Sequence, residues 1–393
     1  MFDCQLTKKE FLFSTAWSLF IISVLMELTA WQALDSSGWL GKILQLMRYS
    51  AYFICCIIII ENTFKRELLI GLLAVGMCFS LGMLCSANKT MVLYFLLIMA
   101  ASGLRSSFVL KISFIIQTVI FSMTILCSQI GLAVDFDFSS EMRVRHGLGF
   151  AWTTTGSILF FYMVLQYVYL RKRNASIIEY VILEAVNYLL YRFTDSRMAF
   201  LLTTLYLLFF CMERLFRHPW KISEKAGHLF CIVPTIISLG SLLAFRFYRE
   251  GSSVWDKLNS VLSDRLALGS RAIHQYGYTL FGQKIKWVGY SVQNPQMTVD
   301  YNYVDCSYLQ LALEYGLIFL CIVIIFYTII LFKAVKSRDY YLVWTVLFVM
   351  GLSITEPRLM QFAFNPFPIL LLCRFHVSME KKKKIQLRGS MSV

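Results

Sequence analysis

Apolar runs of about twenty residues recur from one end of this 393-residue chain to the other, separated by short segments carrying Lys and Arg. That pattern constrains the fold more than any motif does. A bilayer hydrocarbon core is about 30 Å thick, so one helical crossing needs roughly 20 apolar residues. Lipid offers no water to the backbone, and a run of this kind satisfies its own N–H and C=O groups by becoming a helix. Composition agrees, with 58% hydrophobic and 15% charged residues and a mean hydropathy of +0.64. Soluble domains carry about 25% charged residues. The chain reads as an all-α polytopic membrane protein.

About twelve spans are expected, near 11–32, 43–60, 67–85, 90–103, 108–132, 149–170, 177–192, 197–212, 227–246, 306–332, 340–356 and 360–376. The fourth and the last are short. Basic residues fall in alternate connections: Lys8/Lys9, Lys65/Arg66, Arg105/Lys111, Arg171 to Arg173, Arg214 to Lys225, Lys333 to Arg338, and Lys381 to Lys384. The positive-inside rule makes that side cytoplasmic and puts both termini there. The net charge of +14 thus sets orientation and does not point to nucleic acid. Residues 1–246 hold nine spans, 247–304 form one long extracellular loop, 305–376 hold three more spans, and 377–393 are a basic tail suited to anionic lipid. No small-residue cleavage site follows the first apolar run, so it is expected to stay as a helix. The eleven cysteines are scattered without a CxxC pair and read as small core residues, not as a disulfide framework or metal site. Gly-rich phosphate loops, HExxH and GxSxG are missing, which removes the common soluble-enzyme chemistries.

Charges at the outer ends of spans are the informative feature. In YRFTDSRMAF, Thr194, Asp195 or Ser196 is positioned to cap a helix, and Arg197 falls in its first turn. A cation there opposes the helix dipole. Arg197 either snorkels or pairs with Asp195, or it faces an anion together with the helix N-terminus. In EMRVRHGLGF, Arg143, Arg145 and His146 precede a span and are either scattered loop charges or part of a site. Within the long loop, Val254, Leu258, Val261, Leu262 and Leu268 form an apolar stripe at helical spacing, and Arg265 lies inside it. Such an Arg needs a partner, either a structural carboxylate or a ligand phosphate. Asp264 and Arg271 point elsewhere. In VDCSYLQLALEYGLIF, Asp305 stands at a helix entrance, as an N-cap or as a chemical group. Glu314 is about two turns deeper, on the face of Gln310, where an ionisable group usually faces a bundle interior or cavity.

The segments TDSRMAFLL, LSDRLALGSRAIHQYGYTLFGQKI and VDCSYLQLALEYGLIFL, taken in order, resemble Wzy-type polysaccharide polymerases of the O-antigen polymerase and ligase superfamily, closest to those making capsular or exopolysaccharide in Gram-positive bacteria. The resemblance covers about Arg143 to Phe319. It implies a metal-independent, cofactor-free glycosyltransferase at the outer face of the cytoplasmic membrane. The donor is a growing glycan on undecaprenyl diphosphate, the acceptor is one lipid-linked repeat unit, and a flippase and a chain-length regulator are implied partners. Arg197 and Arg265 map onto the arginines that hold the diphosphate. Asp305 stands where the ligase branch has a His, followed by Cys306 where Asn is common, and that departure favours a polymerase. Asp305 is the expected base or acceptor-orienting group. Glu314, His274 and His146 are the next acid–base candidates, and Arg143, Arg145 and Arg271 are secondary substrate contacts. The alternatives are a lipid-linked oligosaccharide flippase or transporter and a ligase with another acceptor. Transporters favour inverted repeats and midplane polar residues, whereas here no repeat is visible and the charges gather at one face. Reporter fusions after Arg173, Tyr290 and Lys384 test the topology. Cytoplasmic signals are expected at the first and third and an outside signal at the second, and a cytoplasmic signal after Tyr290 refutes it.

Overall fold

The computed structural model describes residues 6–31, 38–138, 144–216, 222–289 and 301–375. Among these the chain is helical, and extended backbone occurs only as isolated bridges such as Thr29 with Phe150. Long helices are α1 (Lys8–Met26), α2 (Trp39–Glu61), α3 (Arg66–Ser86), α5 (Ser106–Gln129), α6 (Thr153–Arg171), α7 (Ile177–Thr194) and α8 (Arg197–Leu215). A pair α9 (Glu224–Phe230) and α10 (Val233–Phe247) forms one further rod with Pro234 at its joint. Short helices are α4 (Thr90–Ala100), α11 (Ser253–Val261), α12 (Arg265–Tyr276), α13 (Ser307–Glu314) and α15 (Tyr340–Leu352), and α14 (Leu317–Ser337) is long. Seven of these rods are long and apolar enough to cross a membrane: α1, α2, α3, α5, α8, the α9–α10 rod and α14.

α6 and α7 are long but less apolar. α6 is the innermost helix, with residues such as Leu159, Phe161, Tyr162 and Leu165 fully covered. It tolerates Gln166 because that amide donates to Gln117 at 2.6 Å. α7 begins with a capping box, Ser176 and Glu179 exchanging bonds with each other's backbone N–H groups. α1 starts the same way through Thr7 and Glu10. Lipid-suited side chains such as Ile70, Leu73, Met77 and Leu84 of α3 point outward instead. The basic end of the bundle is fastened by Lys172 and Tyr169, both 3.0 Å from Asp339, and by Arg105 with Glu10 at 3.2 Å.

Three segments fall short of the expected spans, and a fourth, 306–332, is broken. α4 and α15 have 11 and 13 residues, so they reach about 16 and 20 Å at 1.5 Å per residue, short of a bilayer core. Of the segment 360–376, expected as the last span, the described residues 360–375 hold turns, a 3₁₀ stretch, Phe367–Leu372, and a bridge from Arg374 to Arg105 in place of a long helix. Pro366 and Pro368 lack the N–H a helix needs there. The chain after α15 is irregular yet buried, and side chains supply what helical bonding does not. Tyr327 and Asn365 both donate to the Leu359 carbonyl, at 2.9 and 2.6 Å. Gln117 donates to the Ala363 and Phe364 carbonyls. Ser307 donates to the Glu356 carbonyl at 2.5 Å and accepts from the Leu359 N–H at 3.0 Å. The cysteines divide: Cys55, Cys306 and Cys373 are core residues as expected, whereas Cys56, Cys85 and Cys321 are exposed on helix surfaces.

The expected span 306–332 is not one helix. It breaks after Glu314, and Gly316 takes φ 93° before α14 starts. Residues 277–283 of the long loop are laced into the break. Leu317 N–H donates to the Thr279 carbonyl, Ile318 N–H to Leu280, and Gln283 N–H to Glu314. Gly282 and Gly316 pack backbone to backbone, and a Cβ on Gly316 would lie 2.4 Å from the Gly282 nitrogen. Gly316→Ala therefore faces both a positive φ and a backbone clash. It is expected to lower stability by roughly 2–4 kcal/mol, read as a fall in the thermal midpoint of the solubilised protein. An unchanged midpoint would contradict this packing.

Candidate functional site

The long loop's apolar stripe is split. Ser263 and Asp264 both take left-handed backbone conformations, φ 53° and 63°, and turn the chain between α11 and α12. Asn259 secures the turn. Its amide donates to Asp264 at 2.9 Å and its oxygen accepts from Ala267 N–H at 3.0 Å, a helix N-cap supplied from the preceding helix. Val254, Leu258 and Val261 consequently stay exposed, Val261 at 78%. Arg265 is the first residue of α12 and not the middle of a longer helix. α12 packs through Leu266, Gly269 and Ile273. A Cβ at Gly269 would strike the Phe245 ring of α10 at 2.3 Å, so glycine sets the approach.

This docking brings Arg265 to Asp305, 40 residues later, with Arg265 Nε donating to Asp305 Oδ2 at 2.8 Å. The two side chains are 22% and 27% exposed. Asp305 precedes the N-cap of α13, which is Cys306, so it does not cap the helix. Glu356 and Arg358 from the irregular segment complete a cluster, with Asp305, Arg265 and Arg358 the charges acting on Glu356. Burial works against the Arg265 charge, and Asp305 and Glu356 outweigh it, raising its pKa above the ordinary value. Tyr303 borders the same charges, and burial, with Asp305 adding to it, pushes its hydroxyl up to about 12.

The donors left over are as telling as those used. Arg265 spends only Nε on Asp305, and no hydrogen bond from Nη1 or Nη2 is present among the described residues. Arg358 stacks its guanidinium over Phe364, 4.2 Å from the ring centroid, and its Nη1 is buried with no hydrogen-bond partner. Two guanidinium groups with unused N–H groups, both acting on the buried Glu356, form an arrangement that suits an anion with several oxygens.

Glu314 ends α13 instead of lying two turns inside a continuous span. It is 8% exposed. Its carboxylate accepts from Asn88 Nδ2 and Trp287 Nε1, each at 2.8 Å. It borders a cavity of about 920 Å³ at the loop end of the bundle, walled by α1, α2, residues 88–94, α13 and residues 357–361. Tyr303 and Ser307 also line the cavity, which places it directly beside the charge cluster.

The remaining candidates lie elsewhere. Arg197 is 65% exposed and paired with Asp195 at 3.2 Å. Asp195 is the left-handed C-cap of α7, and Ser196 occupies the N-cap of α8 without a capping bond, so the expected side-chain cap does not form. Arg145 donates to the Thr194 carbonyl at 3.3 Å and lies over Trp152, while His146 faces Asp135 at 3.5 Å. Residues 135–138 and 144–152 and the α7–α8 turn thus form a second polar group that includes Arg197. Arg143 lies outside the described residues. Arg271 and His274 are exposed on the outer face of α12, turned away from the buried cluster.

Glu356 and Arg358 were not singled out from the sequence. The signal was present: TEPRLMQ puts two charges around a proline inside an otherwise apolar stretch. Among the described residues no group of His, Cys, Asp or Glu is arranged to hold a metal ion. No family model, curated protein or solved structure matches the chain. If Arg265 and Asp305 act as one unit, a double-mutant cycle of Arg265→Ala and Asp305→Ala yields a coupling of roughly 1–3 kcal/mol in unfolding experiments. Additive effects would dissolve the pair.

Proposed function

We propose that this protein is a multi-pass glycosyltransferase that polymerises undecaprenyl-diphosphate-linked oligosaccharide repeat units into capsular or exopolysaccharide at the outer face of the cytoplasmic membrane. The observation that carries the reading is the cluster of Arg265 and Arg358, both with unused guanidinium donors, beside the carboxylates of Asp305 and Glu356. The resemblance of the segments around Arg197, Arg265 and Asp305 to Wzy-type polymerases supports the same reading. In this topology the loop end faces outward, both termini are cytoplasmic, and the donor lipid reaches the cluster from the side of the bundle.

The chemistry follows from the charges. A sugar hydroxyl of the acceptor attacks the anomeric carbon of the donor glycan. The new C–O bond forms as the bond to the diphosphate oxygen breaks, and lipid diphosphate leaves with the electron pair. Arg265 and Arg358 hold that diphosphate and stabilise the charge it gathers, which is worth several kcal/mol in a dry, preorganised site. A neighbouring carboxylate takes the hydroxyl proton. Asp305 has Oδ1 free of Arg265 for this role, and Glu356 is the second carboxylate within reach of the same space. Arg197, more exposed and paired with Asp195, acts as an outer contact for the substrate.

Purified full-length protein in proteoliposomes with lipid-linked repeat units is expected to make a polymer ladder. Arg265→Lys keeps the charge and loses the fork, and Asp305→Asn keeps the shape and loses the base. Each is expected to cut polymer formation by about 100-fold or more at normal expression. Full-length ladders from both Arg265→Ala and Arg358→Ala would overturn the assignment. Movement of the lipid-linked unit across the bilayer without new glycosidic bonds would mark a flippase instead.

A further inference from the structure

The cavity beside the charge cluster has a lining that the diphosphate chemistry does not explain. Its most unusual member is Glu314, a nearly buried carboxylate held by two neutral donors, Asn88 and Trp287. No cation pairs with it among the described residues. A buried charge without a counter-charge costs stability, so fold stability alone is a poor reason for an acid here. Each carboxylate oxygen takes one of these bonds, the Tyr315 hydroxyl also lies against the carboxylate, and lone pairs remain for a ligand. Gln310, one turn earlier on α13, presents an amide to the same cavity, and Trp287 and Tyr303 present rings whose centroids lie 6.3 Å apart.

The lining selects among ligand classes. A phosphate is disfavoured beside the Glu314 carboxylate, and Arg48, the arginine of the cavity, is already paired with Glu27. A small cation is disfavoured because Lys42, Arg48 and Lys89 also border the cavity. What remains is a neutral ring rich in hydroxyls. Adjacent hydroxyls can donate to one carboxylate, an amide can both donate and accept, and the apolar face of a sugar ring can lie on an aromatic surface. The volume, about 920 Å³, falls in the range of ligand pockets, about 300–1,000 Å³. The position is also apt. Ser307 lines the cavity and donates to the Glu356 carbonyl, so the cavity and the cluster share a wall.

We infer that this cavity is a sugar-binding subsite for a neutral ring of the acceptor repeat unit, with Glu314 holding adjacent hydroxyls and Trp287 forming the wall beside them. Only the word acceptor rests on the polymerase reading; recognition of a sugar does not. Glu314 and Trp287 are then specificity residues, separate from the groups that stabilise the leaving diphosphate.

The test uses full-length protein in nanodiscs free of glycoside detergents. Free glucose, galactose, rhamnose and N-acetylglucosamine serve as probes in saturation-transfer difference NMR. Transfer to at least one sugar is expected, and Glu314→Gln and Trp287→Phe should each weaken it by about tenfold or more, the size of a lost hydrogen bond to a charged group. Thermal midpoints check that both variants fold, and Trp287→Phe keeps the carboxylate should Glu314→Gln not fold. No transfer from any of the four sugars, or equal transfer to wild type and both variants, overturns the subsite. The two proposals fail separately. Sugar binding lost in Glu314→Gln with no polymer from the wild type sinks the polymerase and keeps the sugar site. A normal polymer ladder from Glu314→Gln without sugar binding to the wild type does the reverse.

Discussion

A backbone carbonyl or N–H that loses its helical partner inside an apolar bundle must find another within the protein. Most of the chain meets this condition by being helix. Several places do not, and two of them lie at the candidate site. After α15 the chain runs irregularly through residues 353–366, its carbonyls taken by Ser307, Gln117, Tyr327 and Asn365. Between α13 and α14 the helix stops at Gly316 and the long loop supplies the missing bonds. The polar side chains buried elsewhere in the bundle make sense against this need. Gln117, for example, would be out of place in a span that served only to cross lipid.

The broken segments also explain where charge can be tolerated. Glu356 and Arg358 sit on the irregular stretch, Asp305 sits just before α13, and Glu314 sits at its end. None of these groups projects from the middle of a continuous apolar helix. The charge cluster is assembled from three parts of the chain separated by 40 and about 50 residues, brought together because α12 docks closely on α10 and α13 through Gly269. Broken helices at a cavity are also the means by which secondary transporters place polar groups at membrane depth.

The legible part of this architecture was the part governed by apolar length. Helices such as α1, α5 and α14 follow from their runs of side chains, and α7 and α8 begin or end close to where charge returns. What length could not reveal was interruption. Glu314-Tyr315-Gly316 carries one glycine, and the break there depends on backbone bonds from Thr279 and Leu280, which no local pattern encodes. The turn at Ser263 and Asp264 is written in non-glycine residues, so the stripe from Val254 to Leu268 looked continuous. In the sequence, Arg265 lacks a partner and Asp305 lacks a reason. Each is met by the other, a relation visible only once α12 and α13 are side by side. Arg358 carries no distinguishing mark in the sequence, because EPR at the end of an apolar run also reads as an ordinary span terminus.

The Ser307 hydroxyl has a mechanical meaning. By donating to Glu356 and accepting from Leu359 it rivets the start of α13 to the irregular segment, and the Ser307 N–H adds a third tie to the Ser353 carbonyl. Asp305 and Glu356 therefore belong to one jaw, with their spacing set by the rivet. Arg265 rides on a different part, the loop helix α12, which meets that jaw through apolar packing at Gly269 and Leu309 and through the Nε–Oδ2 bond. A displacement of α12 would therefore alter the distance from guanidinium to acid, while the distance between the two acids stays fixed by the Ser307 ties.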